Sequence, residues 1–188
     1  MSLKLNIVVT STRPGRVGDK LGAWIADFAK AEGSFDVTLV DLADLDLPLF
    51  NEPNHPRLGK YEYEHTKTWS ALTDAADAFV FVLPEYNHAA PPTFVNAIDF
   101  LSKEWNYKAA GFVSYGGISG GVRAVETAKG VLTTVKVMPL IDQVIVPMVA
   151  QYIKDGAFVP NEIHTAGADA MLKELKKWAE ALKPLRAA

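Results

Sequence analysis

The sequence contains no cysteine, which removes disulfides, thiolate-bound zinc and cysteine nucleophiles together. It also lacks any run approaching about 18 uninterrupted apolar residues, so no segment is read as a membrane-spanning helix. No basic excess is present: the formal net charge is -3, whereas broad nucleic-acid binding needs a basic face that displaces counterions. His55, His65, His88 and His164 are scattered without metal-ligand spacing, which argues against a zinc site. Internal repeats, low-complexity tracts and linkers are equally missing. Residues Met1 to Lys4 run straight into Leu5-Asn6-Ile7-Val8-Val9, without the layout of a secretory signal. Together these absences give the expectation of a cytoplasmic globular protein.

What is present is a chain of 188 residues, 49% of them hydrophobic. That is enough for one domain burying roughly 70% of its unfolded surface. Short β-rich runs alternate with segments of helical period, the pattern of a parallel sheet with crossover helices. Strands are expected at Leu5–Thr10, Phe35–Val40, Ala78–Leu83, Ala110–Tyr115 and Gln143–Val146. The third, Ala-Phe-Val-Phe-Val-Leu, is apolar on both faces, as a central parallel strand should be. The first helix carries Val17, Leu21, Trp24, Ile25 and Phe28 on one face and stops at Gly33-Ser34. Helices follow over His65–Ala76, around Phe94 to Leu101, and from about Ser119 through Val135. The last helix aligns Met171, Leu175, Trp178, Leu182 and Leu185. The stretch from Leu42 to Tyr63 breaks this rhythm with Pro48, Pro53, Pro56 and Gly59. Loops of that length are usually functional or in contact with a partner.

In such a sheet ligands sit beyond the carboxyl ends of the strands, near the point where strand order reverses. Three loops there are unusual. Thr10-Ser11-Thr12-Arg13-Pro14-Gly15-Arg16-Val17-Gly18 leads into a helix N-terminus, where free N–H groups and the helix dipole favour an anion. Hydroxyls and guanidinium groups suit a phosphate dianion. The loop lacks the Walker pattern and the spaced glycines of dinucleotide folds, so a mononucleotide phosphate is favoured. Pro84-Glu85-Tyr86-Asn87-His88-Ala89-Ala90-Pro91-Pro92 is held by prolines at both ends. Its peptide groups can read the polar edge of a planar heterocycle, with Tyr86 adding stacking area. Asn96 and Asp99 beyond it are read as structural. Tyr115-Gly116-Gly117-Ile118-Ser119-Gly120-Gly121 permits close backbone approach to a ligand.

The third loop also satisfies G-x-S-x-G between Gly117 and Gly121, the pattern of a hydrolase nucleophile elbow. Ser119 would then need a histidine, and Asp142, Asp155 and His164 follow in a permissible order. No HGGG-like segment precedes it, and the other two loops stay unexplained, so the serine hydrolase ranks as a minor alternative.

Taken in order, S-T-R-P-G-R at 11–16, P-E-Y-N-H at 84–88 with N-A-I-D at 96–99, and Y-G-G-x-S-G-G at 115–121 resemble the NADPH-dependent FMN reductases. The resemblance covers about residues 4 to 150 and extends to the last helix. It implies a flavodoxin-like three-layer α/β/α domain with a five-stranded parallel sheet ordered 2-1-3-4-5. It implies that Ser11, Arg13, Arg16 and Val17 surround the FMN phosphate. Pro84, Glu85, Tyr86, Asn87 and His88 would border the isoalloxazine ring, partly through backbone atoms, and Tyr115, Gly116, Gly117 and Ser119 would close the other edge. One departure is Ala89-Ala90-Pro91-Pro92, where members of the family commonly show a serine and then P-G.

The implied activity is transfer of a hydride from NADPH or NADH to FMN and then to a small acceptor such as a quinone, azo compound, chromate or free flavin. The chemistry belongs to the cofactor, and no side chain is assigned as acid or base. His88 is read as structural or solvent-facing in preference to a proton donor. The resemblance further implies a homodimer or homotetramer, with the 42–63 loop and the third helix as candidate contacts. A non-enzymatic flavin-binding electron carrier is the rival reading. Such carriers often have strongly acidic surfaces, unlike this chain.

Overall fold

The computed structural model describes residues 2–186. Five strands form one parallel sheet: β1 (Leu3–Val9), β2 (Phe35–Asp41), β3 (Ala78–Pro84), β4 (Ala109–Tyr115) and β5 (Met138–Val146). Their order is β2-β1-β3-β4-β5, the order that the resemblance implies. Helices α1 (Gly18–Glu32) and α6 (Glu162–Leu182) cover one face. On the other face lie α3 (Glu64–Ala75), α4 (Pro92–Asp99) and α5 (Val122–Thr134). A one-turn helix, α2 (Leu42–Leu45), follows β2, and a two-stranded hairpin, β6 (Ile153–Lys154) with β7 (Ala157–Phe158), precedes α6. No helix among the described residues is long and apolar enough to cross a membrane.

The pleat explains the two cores. Along β3, Ala78, Val80 and Val82 pack toward α1 and α6, while Phe79, Phe81 and Leu83 pack toward α3–α5. Alternation on a strand covered on both sides therefore reads as an unbroken apolar run. The second face is rich in aromatic side chains. Trp69 and Trp105 are fully buried, and each indole N–H donates to a carbonyl of α4, Ala97 and Ile98 respectively, as buried tryptophans require. The buried Asn6 amide likewise donates to the Leu72 carbonyl.

Several boundaries differ from expectation. β5 begins at Met138, not Gln143. Pro139 and Asp142 disguise its start, and Pro139 is tolerated because β5 is an edge strand whose pairing with β4 shifts between Ala110 and Phe112. α5 begins at Val122, since Ser119–Gly121 form the turn before it. The last helix ends at Leu182, with Leu185 in a following 3-10 turn. The irregular 42–63 segment contains α2 and a 3-10 turn at Pro56–Leu58.

Candidate functional site

Strand order reverses between β1 and β3, and the three loops expected to carry chemistry emerge at the carboxyl ends of β1, β3 and β4. Side chains join them into one rim. The Ser11 and Tyr86 hydroxyls lie 2.7 Å apart, tying the first loop to the second. Ser119 Oγ donates to Glu85 Oε1 at 3.0 Å, tying the third to the second. Thr10 Oγ1 donates to the Val82 carbonyl, and Thr93 Oγ1 donates to the Thr10 carbonyl. These bonds fix the root of the first loop to β3 and α4.

The first loop turns at Pro14-Gly15, closed by Arg16 N–H donating to the Arg13 carbonyl. Gly15 has φ +71°, the left-handed residue that such a Pro-Gly turn demands. Among the described residues, the N–H groups of Ser11, Thr12, Arg13, Gly15 and Val17 donate to no backbone acceptor. They belong to the segment that leads directly into the N-terminus of α1. Arg13 is exposed and forms no ion pair among the described residues. Arg16 is instead anchored, its Nη2 donating to Asp41 Oδ2 at 2.7 Å. That bond holds the guanidinium pKa above its ordinary value, against the opposing effect of burial. Its Nε is buried without a partner. Arg16 is therefore committed to Asp41, while Arg13 and those backbone N–H groups keep their donors unspent among the described residues.

The second loop is a two-residue turn. Tyr86 N–H donates to the Ala89 carbonyl and Ala89 N–H returns the bond to Tyr86. Asn87 and His88 between them have φ of 50° and 65°, as a type I′ turn requires. Both are exposed. Glu85 does not face outward: its side chain is 7% exposed and turns toward the start of α5. There it accepts from Arg123 N–H at 3.2 Å and from Arg123 Nε at 2.8 Å, with Nη2 as a further donor. Burial pushes the Glu85 carboxyl pKa up, but the bonds from Arg123 and Ser119 outweigh it, and the net shift is downward.

In the third loop the residues separate by role. Gly116 N–H is spent on the Val146 carbonyl, whereas Gly117, Ile118 and Ser119 have N–H groups without a backbone acceptor among the described residues. Tyr115 is a buried core residue whose hydroxyl lies beneath the rim, beside Ser11 and Tyr86. Its hydroxyl reaches back to α1, so a Cβ on Gly18 would lie 2.5 Å from it. Burial and the neighbouring Tyr86 push that phenol's pKa up.

The hydrolase alternative fails on geometry. Ser119 Oγ is bound to a carboxylate, not to an imidazole. His164 is 2% exposed and serves α6: Asn161 N–H donates to its Nδ1 in a capping box. Asp155 lies in the β6–β7 turn. Arg123 and Thr93 are the rim residues that motif reading missed. The signal available for Arg123 was its place in the first turn of a helix, where the dipole disfavours a cation.

Comparison with known proteins gives the family. Residues 3–151 match the family described as NADPH-dependent FMN reductase. The chain belongs to that family. It is 30% identical over 188 residues to an NAD(P)H-dependent FMN reductase of Nectria, covering 96% of this chain and 89% of that one. An NAD(P)H-dependent FMN reductase of Schizosaccharomyces pombe is 41% identical over 120 residues, covering 63% of this chain and 60% of the relative. A 2-hydroxy-1,4-benzoquinone reductase of Burkholderia is 29% identical, covering 82% of this chain and 80% of that one. Among solved structures, an NAD(P)H:acceptor flavoenzyme of Paracoccus denitrificans superposes with a TM-score of 0.77 at 20% identity, covering 96% and 98% of the two chains. That likeness shows a shared fold.

Proposed function

We propose that the chain binds FMN along the rim formed by its three loops and uses it to carry electrons from NAD(P)H to a small acceptor of the quinone class. The observation that carries this reading is the continuity of the rim: Ser11 to Tyr86, then Glu85 to Ser119, places unused N–H donors of all three loops along one edge. The residues fit the cofactor. The free N–H groups of Ser11–Val17, the α1 dipole and Arg13 suit its phosphate. The turn at Asn87-His88 and the open backbone at Gly117, beside which a Cβ would meet nothing within 4 Å, suit approach of a flat ring.

When bound, FMN supplies the hydride-accepting and electron-donating chemistry. The chain's own contribution is geometric and electrostatic. Gly117, Ile118 and Ser119 present N–H groups fixed by the Gly120-to-Gly117 and Met148-to-Gly117 bonds. Such preorganised donors stabilise negative charge without reorganising during the reaction. Ser11 and Tyr86 hold each other's hydroxyl in place at the junction of the first two loops. No acid or base is assigned, because an electron-accepting quinone can draw its protons from solvent.

The same reading includes a second copy of the chain as partner and a cytoplasmic setting, where NAD(P)H is available. The 42–63 segment supports the partner. Leu49 and Leu58 are exposed by 83% and 59%, and Phe50 and Tyr63 are also exposed. Asn96 holds this segment against α4 by accepting from Phe50 N–H and donating to the Pro48 carbonyl. An apolar surface kept in a fixed shape suits an interface.

The deciding experiment is to add FMN to the purified protein, remove unbound flavin, and record visible spectra before and after anaerobic NADPH. Retained flavin that bleaches supports the reductase. Retained flavin that does not bleach favours the electron carrier, and failure to retain or quench flavin at high protein concentration overturns the FMN site.

A further inference from the structure

The Glu85–Arg123 pair is not explained by cofactor contacts. Arg123 is the second residue of α5, where the positive end of the helix dipole repels a guanidinium. The N-cap, Gly121, supplies no side-chain acceptor. Glu85, from another loop, fills that place by accepting Arg123 N–H. The Arg123 guanidinium and the Ser119 hydroxyl then converge on the other carboxylate oxygen. The partners are unequal: the Glu85 side chain is 7% exposed and the Arg123 side chain 47%. A largely buried anion thus depends on a half-exposed cation, and removing the cation leaves a carboxylate with reduced access to water and no counter-charge.

We propose that Arg123 is a positioning residue for electron transfer: its guanidinium neutralises Glu85 and holds it inward, so the reduced cofactor faces N–H donors and not a fixed negative charge. This rests on the FMN reading above. Reduction adds negative charge to the bound flavin, and an uncompensated carboxylate in the same rim opposes that charge more than it opposes the neutral oxidised ring. Ser119 Oγ is part of the same lock, which gives the serine of the G-x-S-x-G string a role outside nucleophilic chemistry.

The test is to titrate apo-protein with oxidised FMN and, anaerobically, with dithionite-reduced FMN, and to take the ratio of the two dissociation constants. Apo melting temperatures are recorded beside it. For Arg123→Gln the reduced-to-oxidised ratio of dissociation constants is expected to rise about tenfold, or about 1.4 kcal/mol. The double variant Glu85→Gln/Arg123→Gln returns to within about threefold of wild type, because no charge is left unpaired. Glu85→Gln alone lowers the ratio by about threefold or more, since Arg123 is then the unopposed charge. That variant decides the matter if Arg123→Gln does not fold. Equal changes for both oxidation states in the single variants, or a double variant that stays as impaired as Arg123→Gln, overturn the proposal and leave the pair a structural clamp. Wild-type protein that binds neither form overturns the FMN reading itself, a distinct result.

Discussion

Two glycines of one loop should fail in opposite ways when each gains a methyl group. Gly121 has φ +85°, and a Cβ there would lie 2.8 and 2.9 Å from the Tyr115 backbone N and O and 3.0 Å from Ser114 Cβ. These atoms belong to β4, which is paired on both sides, so they cannot retreat. The left-handed conformation costs an alanine about 1 kcal/mol, and overpacking against fixed backbone adds roughly 1–3 kcal/mol. For a chain of this size each kcal/mol is worth roughly 2–4 °C, so Gly121→Ala should lower the apo melting temperature by roughly 5–15 °C. Gly117 has no such neighbour, and Gly117→Ala should melt within about 2 °C of wild type. Because Gly117 lies on the open rim, that variant should instead weaken FMN binding by about tenfold. Thermal melts of apo-protein, followed by fluorescence titration with FMN, separate the two. A Gly121→Ala protein that melts like wild type would refute the packing argument. A Gly117→Ala protein with unchanged FMN affinity would refute the placement of the ring edge.

Other expectations follow from single contacts. Arg13→Ala should weaken FMN by about 10- to 100-fold while leaving riboflavin binding unchanged, because a charged hydrogen bond to phosphate is worth about 1.5–3 kcal/mol; equal losses for both ligands would remove Arg13 from the phosphate site. Asn96→Ala should cost about 1 kcal/mol and speed proteolysis within residues 46–58, since it breaks the bonds to Phe50 and Pro48; an unchanged cleavage rate would show that the segment is held otherwise. Lys108 is 2% exposed, with Nζ donating to the Thr73 and Asp74 carbonyls, and burial lowers its pKa from 10.5 to about 8 despite Asp74, Asp77 and Glu104 nearby. The unfolded chain therefore binds more protons than the folded one between those values, and wild type should gain stability relative to Lys108→Met as pH rises from about 8 toward 10.5, by up to about 3 kcal/mol. Parallel stability curves for the two proteins across that range would contradict it.

The architecture was legible because its signals are repeated and local. Each helix of the doubly covered sheet shows its apolar stripe, and β3 shows the unbroken run that burial on both faces produces. β5 was half hidden because Pro139 breaks β-propensity where only an edge strand allows it. The rim was legible as three strings but not as an assembly. Nothing local in Ser11 points to Tyr86, and nothing in Glu85 announces that it turns away from solvent. Arg16 and Tyr115 look equivalent to their neighbours in sequence. One is committed to Asp41, the other to the floor beneath Gly18. Those assignments depend on partners 25 or more residues away, which periodicity and spacing do not encode.

Backbone strain alone would not have located the rim either. Left-handed non-glycine residues stand at Asn87 and His88, but also at Tyr107 and Lys136, which precede β4 and β5 at the opposite edge of the sheet. Tyr107 N–H donates to the Lys136 carbonyl there, so that strain is absorbed by a bond between the two turns. At the carboxyl edge the strain has another consequence. The reciprocal Tyr86 and Ala89 bonds, with Ala90 N–H donating to Thr127 Oγ1, lock the turn, while the N–H groups of Asn87 and His88 find no backbone acceptor among the described residues. A non-glycine residue in this region costs about 1 kcal/mol or more, and such a cost persists where the surroundings over-determine the geometry. What marks the proposed functional edge is therefore a conjunction: strained backbone, donors left unused, and a helix that begins with the wrong charge at Arg123. Each breaks a local rule, and local rules are broken together where a site is built.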